Sequence, residues 1–335
     1  MSPRRRKDPK LAWLPTRVYV DKYGYRWRPR SGANIWLAPA DASSSAVLKA
    51  YERAVNDYAE DTVSALIDDY LKSQRFLDLA AKTQKDYLGY AEKVRTMFGK
   101  IKANQIEPHH IRKYLDIVGQ KHPAAANRRL AFMSTIFSWG YERGRVKRNP
   151  CKGVRKFPEP HRERYIEDWE YTLLLAHADD TLYAALEISY LCAARRSDVL
   201  ALQLQDLKPE GIFIRQGKTG VKQIKAWTPR LRAAIKKGRD VPSTQPSMFV
   251  IHTKFGTKLS ESGLRAKFVK ARKDAMQERP DMPSFTFHDV KAKSISDYEG
   301  NKREFSGHKT ESQVAVYDRK VRVTPTLDPD KERSK

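Results

Sequence analysis

Cysteine is nearly absent from this chain. Cys151 and Cys192, 41 residues apart, are the only two among 335 residues. Two such thiols cannot build a disulfide framework or a Cys-rich zinc site. Long apolar runs are missing as well. No stretch approaches the roughly 18 apolar residues of a membrane span. The basic segment Met1–Lys10 is not followed by an apolar stretch of signal-peptide length. Acid is scarce beside base: 40 Asp and Glu stand against 65 Lys and Arg, a formal net charge of +25. That balance predicts a polyanionic partner, nucleic acid before membrane. Apolar residues make up 40% of the chain, enough for real cores, and the length suggests two or three domains. The expectation from composition is a soluble intracellular protein with no internal repeat.

Charge is spread unevenly, which gives a first division. Residues 1–34 carry a net charge of +8, residues 35–80 carry −4, and residues 81–160 carry +12. In the basic tip, Arg17–Val20 alternates β-prone residues, Asp21–Gly24 suits a turn, and Tyr25–Arg28 alternates aromatic with basic. Pro29, Ser31 and Gly32 break the chain before Ile35–Leu37. The pattern predicts a three-stranded sheet offering Arg26, Arg28 and Arg30 on one face, able to enter a DNA groove. The bland alternative is a basic arm with incidental aromatics.

Residues 45–60 are rich in Ala and charge, without Pro or Gly, and predict a helical spacer. From Thr62 the pattern is amphipathic: Val63, Leu66, Ile67, Tyr70 and Leu71 share one helix face. A second helix is expected over about 82–98, with Tyr87, Tyr90, Ala91 and Val94 on its face and Gly99 as cap. A third begins near Glu107 and Pro108, since proline suits a first turn. A fourth covers about 124–143, striped by Leu130, Met133, Phe137 and Tyr141. These stripes predict the core of a four-helix bundle. Arg128, Arg129, Arg143, Arg145, Lys147 and Arg148 fall outside the stripe, where they could meet phosphate.

Pro150, Pro158 and Pro160 mark a linker. The third unit is mixed, with helices expected at 167–178, 180–193, 196–203, 229–237 and 260–277, and more after Asp289. Gly211–Arg215 and Val221–Trp227 flank Gly217–Gly220 and read as a hairpin. The polar tail from Thr324 should be flexible on its own.

Four pieces of this third unit carry chemistry together. Arg195 sits at a helix start with Asp198 three residues on. Lys218 lies at the hairpin tip. His288 and Lys291 are one helical turn apart and can face one point. Ser306, Gly307 and His308 precede Tyr317 by about ten residues. Each piece alone has an ordinary structural reading; their order, spacing and placement together do not.

That combination resembles the tyrosine recombinase (phage integrase) family. Arg195 matches the family's first-box Arg, with Asp198 where Glu is usual. Lys218 matches its hairpin Lys, His288 the head of its His-x-x-Arg box, His308 the Gly-His position, and Tyr317 the nucleophile. The pattern from Thr62 to Pro150, with Trp139, Gly140, Gly144 and Asn149, looks like the helical core-binding domain. The basic tip is similar, more weakly, to the arm-type DNA-binding domain of some phage integrases. The implied fold is multidomain and mainly α with α+β parts: a β-rich arm-binding domain (1–40), a helical spacer (41–61), an all-α core-binding bundle (62–150), a linker (151–163), a mixed α/β catalytic domain (164–323) and a tail (324–335).

The resemblance implies cleavage of DNA through a 3′-phosphotyrosine. Tyr317 supplies the phenol, while Arg195 and Lys291 stabilise charge on phosphorus. Lys218 protonates the departing 5′ oxygen, His288 assists proton transfer and His308 bonds a non-bridging oxygen. No metal or cofactor is expected, and neither a P-loop nor clustered carboxylates for paired Mg²⁺ stand in the sequence. The implied partners are double-stranded attachment sites and three further copies of the chain, with accessory bending or directionality factors, in the cytoplasm or nucleoid of a bacterial host. One departure stands out: Lys291 occupies the place of an Arg, giving a point charge in place of a two-pronged clamp. Lys293, two residues on, is poorly placed to substitute. The alternatives are a DNA-binding regulator without chemistry on the same scaffold, for which Lys291 is the only support, and a type IB topoisomerase-like enzyme.

Overall fold

Three short β-prone runs and one Ala-rich helix build the first part of the chain. A computed structural model describes residues 11–28, 34–321, 323, 324 and 326, with the side chains of residues 56–60 left aside. Strands β1 (Val18–Val20), β2 (Gly24–Trp27) and β3 (Ile35–Pro39) form an antiparallel sheet in that order. Asp21 closes the first turn, its Oδ1 accepting the backbone N–H groups of Tyr23 and Gly24 at 2.8 and 3.1 Å. Arg26 pairs in register with Tyr19 on one side and Trp36 on the other, and both aromatics are exposed. Its guanidinium lies 5.6 Å from the Trp36 ring centre and 3.2 Å from Asp21. Arg28 is exposed at the strand end, while Arg30 lies outside the described residues.

The expected spacer has a different role. Helix α1 (Ser44–Glu60) buries Val47 and Ala54 with Val18, Tyr25 and Trp27, and Tyr51 meets the Trp27 ring edge-on at 5.6 Å. A three-stranded sheet cannot cover its own apolar face, so the helix supplies the second layer.

The next block is helical: α2 (Val63–Lys72), α3 (Gln74–Leu77), α4 (Ala81–Phe98), α5 (Pro108–Gly119) and α6 (Pro123–Glu142). Thr62 caps α2 by accepting from Ala65 N, and Pro108 opens α5 in the first turn. The expected stripes meet in one core of Val63, Leu66, Ile67, Tyr70, Val94, Leu130, Met133 and Phe137. Tyr141 does not join them; it is exposed on the last turn of α6, where the helix has run past the core. The short α3 follows a Ser73 break that the sequence pattern did not reveal. The start of the linker is anchored. The Asn127 side chain donates to Phe157 O and accepts from Phe157 N, both at 2.9 Å.

The chain divides into two compact units at Pro160 and His161. The second unit comprises α7 (Asp168–Ala176), α8 (Asp180–Cys192), α9 (Arg196–Ala201), β4 (Gly211–Arg215), β5 (Lys222–Ala226), α10 (Pro229–Arg239), α11 (Glu261–Glu278), α12 (Phe287–Asp297), α13 (Lys302–Ser306) and α14 (Glu311–Ala315). Strands β4 and β5 form the expected antiparallel hairpin. Helix α8 is buried nearly all round. Its Glu187 is held by Arg230 and the Tyr171 hydroxyl, which removes the cost of an unpaired buried carboxylate. Helices α10 and α12 pack around α8, and α12 carries two of the residues described next.

Candidate active site

Helix α8 ends in a left-handed turn at Ala193, φ 49°, which swings the chain so that Arg195 becomes the N-cap of α9. The Arg195 side chain is largely buried, and its NH1 donates to Gln216 Oε1 at 2.6 Å. Asp198, one turn on, lies 4.0 Å from the guanidinium, and its Oδ1 accepts from Gly217 N at 3.0 Å.

Gln216 ties three segments together. Its Oε1 also accepts from Thr219 Oγ1 at 2.9 Å, and its Nε2 donates to Ser306 O at 2.9 Å. The base of the hairpin tip is thereby fixed to Arg195 and to the turn before His308. That turn needs its glycine. Gly307 has φ 65°, and a Cβ there would stand 2.4 Å from Gln216 Nε2. Lys218 itself is exposed at the tip, without a side-chain hydrogen bond or ion pair among the described residues.

Helix α12 delivers His288 and Lys291 to one side. Lys291 is 1% exposed, and its Nζ donates to Ala193 O at 2.5 Å. Burial, with Arg195 close by, pushes the ammonium down from its ordinary value to about 7; Asp198 opposes the shift and Lys225 adds to it. His308 Nδ1 lies 2.8 Å from Ser306 Oγ, and its ring stacks on Tyr317 with centres 4.8 Å apart. Burial and the cations Lys291 and Arg195 push His308 down to about 4, so it is neutral at pH 7. His288 Nε2 lies 3.1 Å from the Tyr317 hydroxyl. Burial lowers its pKa, Lys291, Arg319 and Arg195 add to that, and Asp289 opposes it. Tyr317 thus has one imidazole at its hydroxyl and another against its ring face.

The structure therefore gathers Arg195, His288, Lys291, His308 and Tyr317 and leaves Lys218 at an exposed tip tied to them through Gln216. Sequence reading missed Gln216 altogether. Its only local signal is its place just before the Gly217–Gly220 turn. Beside His288 runs a groove of about 410 Å³ lined by Arg162, Arg196, Arg265 and Arg272, with Phe268 and Phe287 at its floor.

The basic residues expected on the bundle are mostly engaged. Arg128 pairs with Glu159 at 3.1 Å, Arg143 with Glu142 at 3.3 Å, Arg145 with Asp69 at 2.8 Å, and Arg148 with Glu107. Arg129 donates to the Tyr114 hydroxyl at 3.2 Å. Lys147 is exposed. The four paired arginines remain a third or more exposed, and such pairs contribute only about 0–1 kcal/mol, so a phosphate can displace the acid.

Residues 63–157 match the family model described as the phage integrase central domain, and residues 164–320 match that of the phage integrase family. The integrase of Enterobacteria phage 434 is 21% identical over 345 residues, covering 93% of this chain and 96% of that protein. Tyrosine recombinase XerC of Thermodesulfovibrio yellowstonii is 27% identical over 150 residues, 42% of this chain and 50% of that protein. Among solved structures, a lambda integrase dimer bound to a COC′ core site aligns with a TM-score of 0.68 at 19% identity, covering 94% of this chain and 98% of that one. A lambda integrase tetramer bound to a Holliday junction aligns at 0.66 and 20% identity, covering 90% and 97%.

Proposed function

Because the chain belongs to the phage integrase family, we propose that it cuts and rejoins DNA at specific sites with Tyr317 as nucleophile and Arg195, Lys218, His288, Lys291 and His308 as the groups that serve it. The observation that carries this reading is the pairing of the Tyr317 hydroxyl with His288 Nε2 at 3.1 Å, with the cations Arg195 and Lys291 close by. A neutral imidazole can take the phenol proton as the oxygen attacks phosphorus. The bond from phosphorus to the tyrosine oxygen forms while the bond to the 5′ oxygen breaks. Lys218 delivers a proton to that leaving oxygen, giving a free 5′-hydroxyl and a 3′-phosphotyrosine. Arg195 and Lys291 hold the charge on the non-bridging oxygens. His308 has Nδ1 engaged by Ser306, leaving Nε2 for a phosphate oxygen. The ester bond energy is kept in the adduct, so attack by a second 5′-hydroxyl reverses the step on a new partner.

The substrates are double-stranded attachment sites, supported by the arginine-lined groove beside His288 and by the half-buried Arg26 and exposed Arg28 near Tyr19 and Trp36. The relatives solved on a core site as a dimer and on a Holliday junction as a tetramer support a tetramer of this chain on two duplexes. Accessory bending and directionality proteins, and a site of action on the bacterial nucleoid, extend the same reading. No helix among the described residues is long and apolar enough to cross a membrane. The test is covalent trapping on a core site nicked beside the scissile phosphate, so that the short 5′ product diffuses away. The wild type accumulates a protein–DNA adduct and Tyr317→Phe forms none. An adduct that survives Tyr317→Phe, or no adduct from a wild type that binds the site, overturns the assignment.

A further inference from the structure

Three consecutive residues at the nucleophile are tied back to helix α12 and its flank. Ser296 Oγ donates to Tyr317 O at 3.1 Å and accepts from Arg319 N at 2.7 Å. Lys302 Nζ donates to Asp318 Oδ1 at 2.8 Å and to Ser296 O at 2.9 Å. Arg319 NH1 donates to Asp289 Oδ1 at 2.8 Å and to Arg164 O at 3.3 Å. Asp289 and Ser296 are seven residues apart, two helical turns, so they share a face of α12 and stand about 10 Å apart along it. Arg319 spans that interval, with its backbone at one end and its guanidinium at the other.

We infer that Asp289, Ser296 and Arg319 form a latch that sets Tyr317 against His288 of the same chain, which makes them positioning residues for the nucleophile. The inference rests on Tyr317 being that nucleophile. Two features favour this role over simple stabilisation. The Asp289–Arg319 pair is buried, with both side chains 7% exposed. Such a pair gains little stability over apolar packing, yet its bonds are directional. Asp289 is itself held rigidly, accepting from Thr286 N at 2.9 Å, Thr286 Oγ1 at 2.7 Å and Arg162 NH1 at 3.2 Å. Beyond the latch, Lys320 reaches the Tyr165 ring at 5.8 Å, while Val321 and Val323 are 91% and 100% exposed. His288 adjoins Asp289 on the same helix, so one rigid element fixes both the imidazole and the tether of the phenol.

The latch separates two activities that a purely structural residue would affect together. In the Tyr317→Phe protein, hydrogen peroxide can supply a small nucleophile, with the hydroperoxide oxygen bonding to phosphorus as the 5′ oxygen leaves. That reaction uses the cations and the imidazoles but needs no tethered phenol. Arg319→Ala and Ser296→Ala are therefore compared in two backgrounds on the nicked core site. With Tyr317 present, single-turnover cleavage should fall by roughly 10- to 100-fold, the scale of displacing a reacting group by about 1 Å. Arg319→Lys should restore part of the rate. With Tyr317→Phe and peroxide, Ser296→Ala should leave strand scission unchanged, and Arg319→Ala, which also takes a cation from beside His288, should lower it far less than it does with Tyr317 present. Ser296→Ala keeps every charged group and serves if Arg319→Ala unfolds. Equal losses in both backgrounds, or no loss with Tyr317, would overturn the latch. Strand cleavage by Tyr317→Phe without peroxide would instead overturn the nucleophile assignment beneath it.

Discussion

Helix α12 carries two lysines, Lys291 and Lys293, each 1% exposed, and they have opposite surroundings. Lys293 is met by Asp168 at 2.5 Å, Asp297 at 3.0 Å and the Tyr165 hydroxyl at 3.0 Å. Burial works against its charge, but those three bonds overcome it and hold its pKa above the ordinary lysine value. Lys291 has one backbone carbonyl, with Arg195 and Lys225 as like-charged neighbours, and its pKa falls to about 7. A buried cation whose partners are all in place is finished structure. Lys291 has no carboxylate bonded to it among the described residues, with only Asp198 opposing its cationic neighbours, and the proposed function gives it a DNA phosphate as its anion. The two lysines therefore divide the helix into a side that holds the fold and a side to which the proposed function assigns the chemistry.

Substituting each by methionine, which keeps the apolar stem, should break the comparison open. Lys291→Met should slow single-turnover cleavage by roughly 10²–10³-fold, the scale for deleting one preorganised stabilising donor. DNA affinity should change little, since one phosphate contact is lost among many, and stability should hold or rise because a desolvated charge is gone. Lys293→Met should do the reverse. It strands Asp297 beside the Tyr165 and Tyr190 hydroxyls, and denaturant unfolding should show a loss of about 2–3 kcal/mol. That is below the usual range for a broken buried pair because Asp168 can return to water. A Lys293→Met protein of wild-type stability would remove the distinction.

The same contrast was half legible in the sequence. One helical turn between His288 and Lys291 placed both on one face, and it also set Lys293 aside. Its partner Asp297, four residues on, was a local signal, but Asp168 lies 125 residues upstream and Tyr165 farther still, so the full set of partners could not be read. Gln216 and Ser296 were missed for the same reason: Arg195 and Ser306 reach the one, and Tyr317 and Arg319 the other, only through the fold. Helix periodicity found the bundle core but carried one residue too far, to Tyr141, where the helix outruns its neighbours. The tip shows the opposite error. Val47 and Ala54 are too sparse among charges to look like a core face, yet at a spacing of seven they meet one sheet.

Protonation gives a finer test. Lys291 is charged below about 7 and loses its charge as pH rises through that value in the free protein. His288 must be neutral to accept a proton, and its lowered pKa keeps it so at neutral pH. The rate of cleavage at subsaturating DNA should therefore decline on the alkaline side from about pH 7. Lys291→Arg should extend the plateau to higher pH, whatever its absolute rate, because a guanidinium stays charged. An alkaline limb unmoved by Lys291→Arg would assign that titration to another group.

The smallest effect belongs to the bundle surface. Arg145→Ala removes an exposed pair with Asp69, so stability should change by less than about 1 kcal/mol. If Arg145 meets a phosphate, the slope of log affinity against log salt should become shallower by about 0.9. An unchanged slope would leave Arg145 outside the DNA interface.

If Lys291 awaits the scissile phosphate, its own titration shows it most directly. Protein labelled with ¹³C at lysine Cε, carrying Tyr317→Phe to prevent cleavage, can be followed by NMR with and without a core-site duplex. The Lys291 signal is identified by its loss in Lys291→Arg. The expected result is a midpoint near pH 7 in the free protein and a clear upward displacement when DNA is bound. A Lys291 that titrates like an exposed lysine in the free protein, or whose midpoint ignores DNA, would contradict it.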